Sequence, residues 1–191
     1  DTGSSGMVLG GHTIGAGSRV RARRPRDPLV RATLLPAIDM SPANLDRFVA
    51  EISRVRPRML FGYPSAIAKV AAHAQAQGQP LDDLGVRVAF VTSEMLYDHQ
   101  RALIANTFGC KVANGYGGRD AGFIAHECPQ GSMHISAEDI VVEIVGSDGE
   151  ILPDGEAGEI VVTPLATRDF PVIRYRTGDM GVIDTGECPC G

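Results

Sequence analysis

Between Ser41 and Ala113 the apolar pattern switches repeatedly between two periods, and this alternation constrains the fold more than any other feature. Ser41-Pro42 reads as a helix start: a capping hydroxyl, then proline at the first helical position. Leu45, Phe48, Val49, Ile52 and Val55 follow at helical spacing, and Pro57 ends the segment. Met59-Leu60-Phe61 is a short strand, and Gly62-Tyr63-Pro64-Ser65 turns into a second helix. Ile67, Val70, Ala71 and Ala74 form that helix's apolar face, and Gly78 stops it. Val86 to Thr92 is a valine-rich run of the length of a buried strand. A helix from Asp98 to Phe108 follows, with Leu103, Ile104 and Phe108 inward and Gly109 as its stop. Cys110-Lys111-Val112-Ala113 is the next strand. Strand–helix–strand order over short connections predicts a parallel sheet.

Near His134 the helical period disappears. Ile140 to Val145 is a strand, Ser147-Asp148-Gly149 a turn, and Gly158 to Thr163 a second strand. Val172 to Tyr175 and Gly181 to Ile183 read as two further short strands. The chain is therefore expected to be α/β: a loop-rich lead-in over 1–38, a parallel-sheet α/β subdomain over 39–130, and a small antiparallel, barrel-like β subdomain over 131–191. Within the lead-in, Arg19, Arg21, Arg23, Arg24 and Arg26 form a basic run, which reads as a solvated loop or as an anion contact.

Composition narrows the function classes. At 191 residues, 43% apolar and 21% charged, the chain is large enough for a real core and close to ordinary globular usage. A net charge of −5 argues against nucleic acid as a partner. No apolar run is long enough to cross a bilayer, and Asp1 to Gly11 lacks the basic start and apolar stretch of a signal peptide. A cytoplasmic protein without a membrane partner is expected. The chain opens on Asp1 rather than Met and closes on Gly191 within a motif, so a piece of something longer is also expected.

Two short segments carry the chemistry: Asn114-Gly115-Tyr116-Gly117-Gly118-Arg119-Asp120 and Tyr175-Arg176-Thr177-Gly178-Asp179. The first follows a strand, and ligands of parallel sheets bind beyond the carboxyl ends of strands. Its glycines let backbone approach a ligand, and Tyr116 offers a flat face for a base. Asp120 offers hard oxygens suited to Mg²⁺, and Arg119 a planar fork suited to phosphate or a substrate carboxylate. Asp179 can accept hydrogen bonds from both hydroxyls of a cis-diol. Taken singly, each segment reads more readily as a plain turn or a hairpin connection than as a binding site.

Together these segments resemble the adenylate-forming superfamily, which comprises acyl-coenzyme A synthetases, peptide-synthetase adenylation domains and luciferases. Tyr175 to Asp179 match its Tyr-Arg-Thr-Gly-Asp motif completely. Tyr116 to Asp120 match its Tyr-Gly-x-Thr-Glu motif with Arg119 for threonine and Asp120 for glutamate. Gly158 to Thr163 resembles its Gly-Glu-apolar strand, and Val91 to Leu96 its adenine-flanking loop. Phe61-Gly62-Tyr63-Pro64-Ser65 is similar to the phenylacetate–coenzyme A ligase-like branch, which includes capsule-biosynthesis enzymes.

The resemblance implies an ATP-dependent ligase that joins a carboxylic acid to AMP and passes it to an acceptor such as coenzyme A. It implies ATP or AMP and Mg²⁺ as cofactors. It implies that Ser93, Glu94, Met95, Asn114, Gly115, Tyr116, Gly117 and Gly118 surround the base, that Asp179 holds the ribose, and that Asp120 takes the Mg²⁺ position. The acid would lie near Tyr63, Gly118 and Arg119. The superfamily's phosphate loop and C-terminal catalytic lysine have no counterpart here, since Thr2-Gly3-Ser4-Ser5-Gly6 lacks the lysine that follows such a loop. A fragment inactive alone is therefore expected, with no catalytic residue beyond a contact from Arg119.

Four cysteines complete the inventory. Cys188 and Cys190 are one residue apart, a spacing unsuited to a mutual disulfide. With Cys128 and His134 they make three thiolates and an imidazole, a set that satisfies tetrahedral Zn²⁺ in a closed, structural site. His126 is a second candidate ligand, and free thiols in a reducing compartment are the alternative. Branch members ending in Cys-x-Cys-Gly also look zinc-bearing. Cys110 reads as a core residue. A zinc-stabilised nucleotide-binding or interaction module without catalysis is the second reading of the whole chain.

Overall fold

The computed structural model describes residues 6–10, 32–166 and 171–190. The arginine run from Arg19 to Arg26, the segment Thr2 to Ser5 and Gly191 lie outside the described residues. The chain divides into two compact units, Asp1–Asn114 and Gly115–Gly191. The division thus falls well before the expected boundary at 130, directly inside the first motif.

The first unit carries β1 (Gly6–Gly10), β2 (Ala32–Pro36), α1 (Pro42–Val55), β3 (Met59–Gly62), α2 (Pro64–Ala76), β4 (Val88–Thr92) and α3 (Asp98–Phe108). The strand β5 (Lys111–Gly118) begins in it. Strand order runs β2-β1-β3-β4-β5. The pairs β1–β2, β1–β3 and β3–β4 are parallel, with Leu9 facing both Leu35 and Gly62 across the ladder. Within the expected loop-rich lead-in over 1–38, the described residues include two strands, and β1 sits inside the sheet between β2 and β3. Both strands are only five residues long, and β1 is bounded by glycines, which sheets disfavour. β1 is held by neighbours on either side and the edge strand β2 by β1, pairings that a local reading does not contain.

One core holds this unit together. Met7, Leu9, Leu60 and Val91 from the strands meet Phe48, Ile52, Ile67, Val70, Ile104 and Phe108 from the helices, all essentially inaccessible. Each such side chain contributes about 1.5–3 kcal/mol by leaving water. Cys110 is packed against this core and burial pushes its thiol up to about 11, so it is inert at neutral pH.

The start of α1 differs in detail from expectation. The Ser41 hydroxyl makes no capping bond. Instead the Asp39 carboxylate accepts from the Ser41 amide at 3.0 Å and from Asn44 Nδ2 at 2.7 Å, and so ties the entering chain to the first turn. The helix ends at Arg56 in the left-handed region (φ 47°), whose amide donates to the Ile52 carbonyl at 2.9 Å.

The second unit is antiparallel. The end of β5 pairs with β6 (Gly122–Glu127), which pairs with β7 (Met133–Ile135). A three-stranded sheet has the order β10-β9-β8, from β8 (Ile140–Val145), β9 (Gly158–Pro164) and β10 (Tyr175–Gly181). Its small core is Ala121, Ile124, Ile140 and Val162, with Tyr116, Val142 and Ile160 packed against it.

Three sequence expectations change here. Asn114 to Gly118 are strand rather than turn, and the turn comes only at 119–121. β6 and β7 were not anticipated, because Gly-Phe-Ile-Ala-His-Glu does not alternate and β7 has three residues. The two expected strands around Thr177 are one strand, Tyr175–Gly181, with the motif inside it. Among the described residues no helix is long and apolar enough to cross a membrane.

Candidate functional site

Both motifs reach the second unit, and their geometry is reciprocal. Tyr116 lies on β5, half-buried against the small core. Its hydroxyl donates to Asp179 Oδ2 at 2.8 Å and lies 3.5 Å from Thr177 Oγ1. In return the Tyr175 hydroxyl donates to Asp120 Oδ2 at 3.2 Å. Each motif's tyrosine therefore holds the other motif's acid. Burial, first of all, raises the Tyr116 hydroxyl above its ordinary value, and the Asp120 carboxylate raises that of Tyr175. Both remain protonated donors at neutral pH, which is what a carboxylate partner requires.

Asp179 stands on a bulge. In the ladder Arg176 faces Val161 and Met180 faces Glu159, so Thr177, Gly178 and Asp179 together oppose Ile160 alone. Gly178 adopts φ +80°, the left-handed region that glycine enters without a steric cost. Thr177 Oγ1 donates to the Ile160 carbonyl at 2.9 Å and accepts from the Asp179 amide at 3.1 Å. The bulge lifts the Asp179 carboxylate away from the regular pleat into an exposed position beside the Tyr116 hydroxyl.

In the first unit the residues assigned to the base follow β4. Ser93, Glu94 and Met95 are exposed, and Ser93 is one of few non-glycine residues with positive φ, at 71°. Such a conformation immediately after a strand costs of order 1–3 kcal/mol and is typical of positions where ligands bind. The Glu94 carboxylate accepts from the Ser65 amide at 3.2 Å, at the first turn of α2. Its side chain is thus engaged by the helix start. Tyr63 is the residue before α2 and gives its carbonyl to the Ile67 amide at 3.1 Å. Asn114 and Gly115 are consecutive in β5, with Gly115 buried. Gly118 pairs with Gly122, and Arg119 is exposed in the turn that follows.

A second cluster lies in the same unit. The ligand atoms of Cys128, His134, Cys188 and Cys190 are all within 4.8 Å of one another. Cys128 Sγ and Cys188 Sγ are 3.7 Å apart, and Cys190 Sγ is 3.4 Å from His134 Nε2. A zinc tetrahedron with Zn–S of about 2.3 Å has edges of about 3.8 Å between sulfurs, and slightly shorter ones to nitrogen. The donor set and the spacing both fit Zn²⁺. His134 belongs to the cluster; His126, opposite it on β6, does not.

A hydrogen bond to the Ser132 side chain, then one from the Cys190 amide, draws the Cys188 thiol down to about 7. The Cys188 sulfur pushes Cys190 up to about 11. The Gln130 amide donates to Cys128 Sγ at 3.3 Å, just as the Cys190 amide bonds Cys188. The two turns repeat one sequence, Cys-Pro-x-Gly, at 128–131 and 188–191. That repeat was readable without a structure and pairs the ligand loops directly.

The fold and this site define a class. Residues 30–164 match the model of the AMP-binding enzyme family, and the chain belongs to that family. Among curated proteins it is 29% identical to a phenylacetate–coenzyme A ligase of Thermus thermophilus, over 82% of this chain and 36% of that protein. It is 30% identical to the Pseudomonas putida phenylacetate–coenzyme A ligase over 75% of this chain and 34% of the relative. It is also 26% identical to protein CapK of Staphylococcus aureus, over 71% and 29% respectively. The chain thus spans about a third of the length of these relatives.

Among solved structures, the fold matches 2-hydroxyisobutyryl-CoA ligase in complex with 2-HIB-AMP and CoA. The TM-score is 0.79 at 20% identity, covering 98% of this chain and 42% of that one. It also matches an anthranilate CoA ligase in complex with anthranoyl-AMP, with a TM-score of 0.61 at 20% identity, covering 82% and 33%.

Proposed function

We propose that the chain supplies the adenine- and ribose-binding part of an ATP-dependent acid–coenzyme A ligase. The observation that carries this reading is the reciprocal pairing of Tyr116 with Asp179 and of Tyr175 with Asp120. It brings an aromatic ring against a carboxylate suited to a diol and places a second carboxylate in the same unit, a set suited to recognising a nucleotide. Tyr116 stacks on adenine, with Gly115, Gly117 and Gly118 of the same strand leaving room for the base. Asp179 takes both ribose hydroxyls, exchanging its bond from Tyr116 for bonds from the diol.

Asp120 keeps one oxygen beyond the contact with Tyr175, enough for one position on Mg²⁺, whose other ligands are water and phosphate oxygens. The ion would neutralise phosphate charge. Arg119, next to Gly118, adds a positive charge toward phosphate or the carboxylic acid. Support for coenzyme A as acceptor comes from relatives named as coenzyme A ligases. Cys128, His134, Cys188 and Cys190 hold a structural Zn²⁺, since a closed four-ligand set leaves no position for water. None of the four cysteines forms a disulfide, which suits a reducing compartment, and we propose a cytoplasmic location.

Calorimetric titration with AMP tests the reading. Binding is expected, and Asp179→Asn is expected to weaken it about tenfold, the worth of hydrogen bonds to a charged acceptor. Equal affinity in wild type and variant would reject the ribose role. Because the chain spans about a third of its relatives, we further propose that it does not complete adenylation alone. Release of pyrophosphate from ATP and phenylacetate by this chain would overturn that.

A further inference from the structure

The bulge that carries Asp179 is held from below by a residue outside both motifs. Glu159 lies on β9, opposite Met180 and adjacent to the bulge. Its Oε2 accepts from Arg176 Nε at 2.8 Å and also from Arg176 Nη2. Its Oε1 accepts from the Gly178 amide at 3.3 Å. One carboxylate therefore spans the bulge, gripping the side chain that enters it and the backbone at its left-handed apex. Thr177 adds uncharged ties to the Ile160 carbonyl and from the Asp179 amide, and the Tyr116 hydroxyl holds the Asp179 carboxylate from β5.

Three consecutive residues oppose one, so the ladder's register shifts there and side chains reinforce the bulge. Glu159 provides the charged share. It is largely enclosed, with its side chain 20% exposed, whereas Arg176 is 58% exposed. A partly enclosed acceptor paired with a more exposed donor is suited to fixing geometry, because the acceptor is the less mobile of the two.

We infer that Glu159 is a positioning residue for the diol clamp: by bridging Arg176 and the Gly178 amide it sets the direction in which the Asp179 carboxylate points. This rests on the reading of Asp179 as the ribose ligand. Glu159 touches no nucleotide. It acts through the bulge, so its removal alters discrimination at the ribose more than overall folding.

The test compares AMP with 2′,3′-dideoxy-AMP by calorimetric titration of the full chain. The wild type is expected to prefer AMP by about tenfold or more, the worth of two hydrogen bonds to a carboxylate. In Glu159→Gln, which keeps an acceptor for Gly178 but loses the charge facing Arg176, the preference is expected to fall to about threefold or less. Glu143→Gln serves as the matched control. Glu143 forms an equivalent ion pair with Arg174 at 3.1 Å on the neighbouring strand but does not touch the bulge. It is expected to keep the wild-type preference.

A second readout needs no ligand: amide exchange at Gly178 is expected to quicken in Glu159→Gln and not in Glu143→Gln. A wild-type preference that survives Glu159→Gln unchanged would overturn the inference and leave the ribose assignment standing. A wild type blind to the diol would remove both. Loss of preference in both variants alike would make Glu159 an ordinary structural residue.

Discussion

At the scale of single residues, the site is a matter of which carboxylates are already spoken for. Asp179 and Asp120 each hold a tyrosine hydroxyl, Glu94 holds the start of α2, and Glu159 holds Arg176. The Arg176 guanidinium keeps the Glu159 carboxyl below its ordinary value. The sign follows directly. The folded chain favours the ionised form more than the unfolded chain does, so this contribution to stability is complete above the unfolded value of about 4.3 and fades as pH falls through the lower folded value. The stability gap between wild type and Glu159→Gln, read from urea melts, should be flat above about pH 5.5 and close as the medium is acidified below about pH 4. A gap that widens on acidification would mean that the ion pair is not its source. None of these pairings was legible in the sequence. Residue types and the two motifs suggested ligands, but which acid meets which tyrosine depends on β5 and β10 being brought together.

At the scale of elements, legibility tracked periodicity. The helices α1, α2 and α3 fall where apolar spacing put them, because each buries a continuous stripe against one core. Short strands whose neighbours are remote in sequence were lost or misread: β1, β2, β6 and β7, and the bulged β10. A turn-like composition such as Thr-Gly-Asp describes local backbone freedom, and a bulge uses that freedom as readily as a hairpin does. One glycine shows how closely elements are fitted. A Cβ at Gly62, the last residue of β3, would collide with the Leu9 carbonyl of β1. Gly62→Ala should therefore destabilise the first unit by about 1–3 kcal/mol, the usual cost of overpacking. A thermal melt moved by less than a degree would show that β1 yields instead.

At the scale of the whole molecule, the chain is two units with separate cores, and the proposed zinc belongs to only one of them. Metal analysis should find about one zinc per chain, as three thiolates and an imidazole hold one ion. Removing it with a chelator should speed amide exchange in β8, β9 and β10 while leaving β1, β3 and β4 unchanged. Uniform loss of protection across both units, or none in either, would remove the ion's structural role. The ligand types and the choice of His134 were read from the sequence, with His126 as a competing ligand; the structure gathers His134 and not His126 into the cluster, although adjacent antiparallel strands place the two side by side. The twin Cys-Pro-x-Gly turns have one more consequence. Cys128 and Cys188 are 60 residues apart, and all of β8, β9 and β10 lie between them. An ion held by both turns acts on the unfolded chain as a cross-link. On the chain-entropy model, closing a loop of that size removes disorder worth about 4 kcal/mol before a single strand has paired. With the proposed zinc bound, the small sheet would fold inside a ring rather than on an open thread, and its core of four buried side chains would gain stability from the states closed to the unfolded chain.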